Sequence, residues 1–300
     1  MKDFDSLVRH FRSLTPRRRV VTVCPDDEPT LGVINRCLSE ELVEFQLVAR
    51  ADRADAAKAI AKANPGLVNL TIAESPAEAA TIAVKMVHEH KADVILKGNI
   101  NTDDLLHAVL NKEYGLLQPG RVMSHVTLAH IPTYGRLVMF SDAAVIPEPN
   151  LVQLDAMIHY DVNLWNRLGN PCPVVALIHF TEKFNPKFVI TTYYKELLRR
   201  GANGDYGQIE IGGPMDVKSA CDAHAAAIKG INSPGVGKAD LLIFPSLVSA
   251  NTFYKTLALF AHADMAAMLT GTDAPIVVPS RADSDESKFY SLALACVAAL

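Results

Sequence analysis

Between Arg19 and Leu110 the chain repeats one pattern, a short apolar segment followed by a stretch with helical spacing. Arg19 to Cys24, Val43 to Val48, Leu67 to Ile72 and Asp93 to Leu96 read as buried strands. The segments between them read as helices: one reaching about Glu41, one from Arg53 to Ala63 stopped by Asn64-Pro65-Gly66, and one running to about His90. The last opens with Ser75-Pro76-Ala77-Glu78, a cap, a proline at the first helical position and an acid at the third. Strands alternating with helices pair in parallel, with right-handed crossovers. The class expected is α/β with a mostly parallel sheet.

After Leu110 the pattern changes. Val122 to Ile131 and Arg136 to Phe140 are strand-like and joined by Pro132-Thr133-Tyr134-Gly135, a hairpin-length connection that predicts an antiparallel pair. The proline-bounded loop Pro147 to Asn150 reads as a domain boundary. A second series follows: helix Leu151 to Leu168, strand Pro173 to Ile178, helix Thr191 to Arg200 and a short strand Gln208 to Ile211. It continues with helix Val217 to Ile228, strand Leu241 to Phe244 and a helix from Ala250 to about Met265.

The chain closes on a strand–turn–helix. Pro275 to Pro279 is an apolar strand. Phe289, Leu292, Ala293, Cys296, Val297 and Leu300 lie on one helical face, and Asp283 with Glu286 three residues on suggests a capping box. The turn between carries Ser280 and Arg281 at the carboxyl end of a strand, beside a helix start. Ligands bind there in open α/β sheets. Helix N–H groups favour an anion, and arginine grips phosphate with a two-pronged fork. The plain alternative is a turn that caps a helix and makes a surface ion pair.

Composition narrows the functions. A net charge of −4 argues against nucleic acid as the main partner. The one dense basic run, Arg17-Arg18-Arg19, reads as a solvated flank. Five scattered cysteines fit reduced thiols in the cytoplasm rather than a disulfide framework. The mixed polar start from Met1 to Leu14 reads as a helix, not a signal peptide, and no apolar run reaches membrane-spanning length. Gly235-Val236-Gly237-Lys238-Ala239 fails as a phosphate-binding P-loop because Asn232 and Ala239 stand where glycine and Ser/Thr are needed. No G-x-G-x-x-G follows the first strand, and no G-x-S-x-G elbow occurs. No Cys or His spacing resembles zinc, and His88-Glu89-His90 reads as a solvated helix end. Chemistry without a metal or a bound redox cofactor is expected.

Four loops at predicted strand ends carry polar groups: Lys97 to Thr102, Ser124-His125, Ser141-Asp142 and Ser280-Arg281. They suit a phosphorylated substrate; the alternative is four ordinary loops. Their wording resembles a known family. Leu96-Lys97-Gly98 and Thr102 through Leu110, Met123-Ser124-His125-Val126, Ser141-Asp142-Ala143-Ala144, Asn251-Thr252-Phe253-Tyr254-Lys255 and Pro279-Ser280-Arg281-Ala282-Asp283-Ser284 are similar, in order, to the phosphate acetyl/butyryltransferases. The Ser-His-Val, Asn-x-x-Tyr-Lys and Ser-Arg-Ala-Asp-Ser segments look closer to the butyryl branch.

The resemblance implies two three-layer α/β/α domains related to the isocitrate dehydrogenase architecture. One would be residues 1–146 plus 272–300, the other 147–271, with the active site in the cleft between them. It implies an acyltransferase converting acyl-CoA and phosphate reversibly to acyl phosphate and CoA, with both substrates bound together. CoA would be a substrate and no cofactor would be tightly bound. It further implies a cytoplasmic homo-oligomer, dimer or larger. By resemblance Arg281 holds phosphate, Ser280 donates to it or steers the thiol, and Asp283 stands nearby as an acid. Ser124 would contact phosphate or carbonyl, with Asn101 and Thr102 near the phosphate. Lys97, His107, His125, Asp142, Asn251 and Tyr254 complete the expected substrate contacts. Three positions depart from the family. Ser287 stands where the acetyltransferases have an Asp that is the usual candidate base, so the base stays open. His107 stands for a frequent Arg, and Lys218 for an Asp. A phosphate acetyltransferase, and a CoA- or acyl-phosphate-binding sensor without turnover, are the competing readings. A dehydrogenase on the related fold lacks both a nicotinamide site and acidic metal ligands in the sequence.

Overall fold

The computed structural model describes residues 1–279 and 284–299. Ser280, Arg281, Asp283 and Leu300 therefore lie outside the described residues. The strands are β1 (Arg18–Val23), β2 (Val43–Arg50), β3 (Val68–Ala73), β4 (Val94–Lys97), β5 (Ser124–Ile131), β6 (Arg136–Ser141), β7 (Val174–Ile178), β8 (Glu210–Met215), β9 (Leu241–Ile243), β10 (Asp264–Thr270) and β11 (Ile276–Val277).

Contacts divide the chain into two compact units. The first comprises Phe4–Met123 and Ala266–Leu300. Its strands run β3-β2-β1-β4-β11, all parallel, and β10 pairs antiparallel with β11 through Leu269 and Ile276. Val20, Val21, Thr22 and Val23 alternate between the two faces, yet all are fully buried. Both faces of the sheet are therefore covered, as a parallel sheet requires. Helix Pro76–His88 packs on β1 and β2, while helix Asp285–Ala298 packs with helices Phe4–Arg12 and Glu28–Ser39.

The second unit comprises Met1–Asp3 and Ser124–Met265, with strands in the order β5-β6-β9-β7-β8. β5 and β6 form the expected antiparallel hairpin, and the remaining pairs are parallel. Val174 to Ile178 and Leu241 to Ile243 are buried without alternation, so this sheet too is covered on both faces. The hairpin belongs here because Met139, Phe140 and Ser141 of β6 pair with Leu241, Leu242 and Ile243. The unit boundaries thus fall at 123/124 and 265/266, whereas the sequence expectation placed them at 146/147 and 271/272.

Several local expectations change. Asp222 has extended backbone angles and caps a new helix through His224 N and Ala225 N, so Val217 to Ile228 is two helices, Val217–Cys221 and Ala223–Lys229. The helix expected from Ala250 is Leu247–Phe260, and the residues after it form β10. The closing helix is capped by Ser284, whose hydroxyl accepts from Ser287 N. That helix is buried on more than one face: Ser291 through Val297 are all buried without a break. His88, Glu89 and His90 form an exposed helix end, as expected. The basic run is locally engaged: Arg17 bonds Glu41, Arg18 the Cys296 carbonyl and Arg19 Asp93. All five cysteines are free thiols.

Candidate functional site

In the first unit β1, β4 and β11 are parallel neighbours, so their carboxyl ends emerge on one edge. The register pairs Val23 with Lys97 and Leu96 with Val277. The chain after Lys97 is pinned against the end of β1: Gly98 N donates to the Val23 carbonyl at 2.9 Å and Asn99 N to the Cys24 carbonyl at 2.8 Å. This approach requires glycine, since a Cβ at Gly98 would stand 2.4 Å from the Cys24 carbonyl oxygen. Cys24 itself turns the chain with a φ of +53°. Burial pushes its thiol pKa up to about 11, with the nearby Asp26 carboxylate adding to the effect, so it is not a ready nucleophile.

These ends frame a cavity of about 260 Å³, lined by Asp27, Thr30, Lys97, Asn99, Pro279 and Lys288 among others. Lys97 is 9% exposed and Lys288 6%. Asp27 is the N-cap of helix Glu28–Ser39; its Oδ1 accepts from Thr30 N at 3.0 Å and Thr30 Oγ1 at 2.9 Å. Lys288 lies one turn inside the closing helix. Its neighbour Phe289 lies beneath the Arg36 guanidinium, 3.6 Å from the ring centre, and edge-on to Phe11 at 6.1 Å. Arg36 also pairs with Glu286 in the same turn.

Asn101 caps helix Thr102–Val109 without a side-chain bond. Asn101, Thr102 and His107 are exposed, and none of them lines this cavity. Of the expected residues in this unit that the structure describes, Lys97 is the one brought to the cavity. Lys288 was missed because a charged residue beside an amphipathic stripe reads as solvent-facing. The available signal was its position between Ser287 and Phe289 in a helix whose other residues are almost all small or apolar.

In the second unit Asp142 is a hub. Its Oδ2 accepts from Ser124 Oγ at 2.9 Å and His125 N at 2.8 Å, and its Oδ1 from Ala144 N at 2.8 Å and Val145 N at 2.7 Å. Asn251 Nδ2 donates to the Ala143 carbonyl at 3.0 Å from helix Leu247–Phe260. Tyr254, on the same helix, packs edge-on to Phe140 at 6.5 Å and carries Lys255 over its ring. Ser124, His125, Asp142 and Asn251 are thus brought together chiefly as one another's partners. Asp142 spends its carboxylate on shaping the loop that follows β6.

Beneath this loop lies a residue that the sequence reading passed over. Asp161 is 1% exposed, and its Oδ1 accepts from Ser141 Oγ at 2.9 Å. Burial pushes its pKa up to about 8; the Ser141 hydrogen bond opposes the shift and the Asp142 charge adds to it. The two neighbouring carboxyls differ in surroundings: Asp142 accepts from four donors, whereas Asp161 accepts from Ser141 Oγ alone among the described residues. The signal was spacing: Leu154, Met157, Ile158, Asp161 and Trp165 share the buried face of helix Leu151–Arg167.

Among the described residues no group of three or more His, Cys, Asp or Glu side chains could hold a metal ion. No helix among them is long and apolar enough to cross a membrane. Gly235 and Gly237 are turn glycines with φ of +76° and +75°, and Lys238 bonds Glu210 at 2.6 Å, so this segment is a folded turn.

Parallel α/β sheets with a lysine-lined cavity at their strand ends define a protein of the kind that takes anionic ligands there. The comparisons with known proteins narrow this to one family. The chain belongs to the phosphate acetyl/butaryl transferase family, whose model matches residues 48–296. It is 38% identical over 231 residues to a probable phosphate butyryltransferase of Bacillus subtilis, covering 77% of each chain. It is 33% identical over 281 residues to a phosphate acetyltransferase of Thermotoga maritima, covering 93% of this chain and 95% of that one. The crystal structure of a branched-chain phosphotransacylase from Enterococcus faecalis superposes with a TM-score of 0.81 at 28% identity, over 94% of this chain and 98% of the other.

Proposed function

We propose that this chain transfers a short acyl group of about butyryl size reversibly between CoA and inorganic phosphate, by direct attack within a ternary complex. The family match across residues 48–296 carries the reading. In the direction of acyl-CoA synthesis the CoA sulfur attacks the acyl carbonyl of the acyl phosphate. A C–S bond forms, the carbonyl becomes a tetrahedral oxyanion, and the C–O bond to phosphate breaks as the carbonyl re-forms. The thiol proton is lost on the way. A free thiol has a pKa of about 8.5, so only a few per cent is thiolate at neutral pH, and a base helps. Fixed cationic and N–H donors stabilise the oxyanion and the leaving phosphate. Holding both substrates in line can supply roughly 7–11 kcal/mol of the barrier. Arg281 and Ser280 are assigned to the phosphate by the Ser-Arg motif, and Lys97 by its place in the cavity. CoA enters as a substrate, with no resident cofactor. A cytoplasmic homo-oligomer completes the reading.

Acyl size is tested by CoA release from acetyl-, propionyl-, butyryl- and isobutyryl-CoA in the presence of phosphate. The expected outcome is the highest kcat/KM with a four-carbon chain, and loss of two or more orders of magnitude in Arg281→Ala, as when a transition-state charge contact is removed. A preference for acetyl-CoA would make the protein a phosphate acetyltransferase. CoA binding without release from any of them would favour the sensor.

A further inference from the structure

We infer that Lys288 holds the phosphate group in this reaction, facing Lys97 across the cavity at the ends of β1, β4 and β11; the inference rests on the phosphate acyltransferase reading. The first observation is burial. Lys288 is 6% exposed, and lysine is almost never buried to that degree without a partner. Yet its ammonium makes no ion pair or side-chain hydrogen bond with any carboxylate or other group among the described residues. The stem is buried, and the ammonium is left at the cavity, where an anion can reach it. The second observation is sign. Two lysines line the cavity against one carboxylate, Asp27. Asp27 already spends one oxygen on Thr30 N and Thr30 Oγ1 at the start of helix Glu28–Ser39. Among the described lining residues the formal charge is positive.

The third observation is size. The cavity, about 260 Å³, is ample for a small anion. A tetrahedral oxyanion fits. The fourth is pre-organisation. Arg36 over the Phe289 ring and Arg36 paired with Glu286 hold the first turn of the closing helix, and with it the backbone that carries Lys288. The acids of this turn, Asp285 and Glu286, are exposed, and Glu286 is paired with Arg36.

The test compares wild type with Lys288→Met, which keeps the stem and removes the charge, in the direction that consumes phosphate. KM for phosphate should rise tenfold or more while KM for butyryl-CoA stays within about twofold, and Lys288→Arg should recover part of the loss. Independently of turnover, inorganic phosphate should raise the melting temperature of wild type, and this shift should vanish in Lys288→Met. Should Lys288→Met fail to fold, Lys288→Gln serves the same comparison. An unchanged phosphate KM in an active variant overturns the inference and leaves the enzyme reading standing. A rise confined to the KM for butyryl-CoA also overturns it and gives the cavity to CoA. A wild type that releases no CoA at all defeats the enzyme reading itself, whereas its phosphate-dependent melting shift still reports on Lys288.

Discussion

Asp142→Ala is expected to lose about 4 kcal/mol of stability and nearly all activity. The carboxylate accepts four hydrogen bonds, and two of the donors, Ser124 Oγ and His125 N, are buried. Leaving a buried donor without its acceptor costs about 1–3 kcal/mol each. The other two donors, Ala144 N and Val145 N, lie nearer the surface and can turn to water, so they add less. The same substitution frees the loop after β6, which Asn251 holds through the Ala143 carbonyl. Asp142→Asn keeps one acceptor oxygen but must aim an amide N–H₂ at donors on its other side, and should lose about half as much. Urea midpoints of the two variants, read beside the rate of CoA release, check this. If Asp142→Ala were as stable as wild type, Asp142 would not be the hub of this loop.

The second large effect concerns pH. Asp161 has a pKa pushed up to about 8 in the folded chain, chiefly by burial, against about 3.9 when unfolded. Between those values the folded protein binds a proton that the unfolded chain does not, so stability falls as pH rises. The contribution is full below about pH 4 and gone above about pH 8. At about 1.4 kcal/mol for each pH unit, the change across the window is roughly 5 kcal/mol. Asp161→Asn keeps an oxygen to accept from Ser141 and removes the titration. Its melting temperature should therefore not fall from pH 5 to pH 8, while that of wild type does, and near pH 8 the variant should be the more stable of the two. Depressed carboxylates such as Glu196 and Asp216, held down to about 2 by hydrogen bonds from Arg199 and from Lys229 respectively, act only at much lower pH, while His179, whose pKa burial lowers, works in the opposite direction to Asp161. Parallel melting curves would contradict a protonated Asp161.

Much of the architecture is legible in the sequence because its signals are local. Cap residues such as Ser75 and Asn150 and apolar runs such as Val20 to Val23 each dictate their own element. β10 was hidden because Met265-Ala266-Ala267-Met268-Leu269 is built from good helix formers, and its place in the sheet rather than its composition makes it a strand. The unit boundary was hidden for a related reason. The hairpin β5–β6 follows the first series in sequence but pairs with β9, a contact a hundred residues away.

The site was legible in its residue types and less so in their roles. Ser124 and Asp142 were expected to contact substrate, and the geometry makes them first each other's partners. Asn101, Thr102 and His107 were expected near phosphate and stand exposed outside the lysine-lined cavity. Lys288 and Asp161 were overlooked because pattern reading sends charged residues to the surface. Both break that rule: one in a helix buried on several faces, the other in the middle of an apolar stripe. A charge placed where packing asks for an apolar side chain marks function or a required hydrogen bond more sharply than loop residues do.

The most direct test of phosphate acyl transfer is the stoichiometry of the reaction itself, with butyryl-CoA and phosphate supplied and CoA and acyl phosphate both measured. One acyl phosphate for each CoA, with no CoA released when phosphate is left out, is the expected result. CoA release that continues at the same rate without phosphate would mean hydrolysis by water and would contradict the transfer of the acyl group to phosphate.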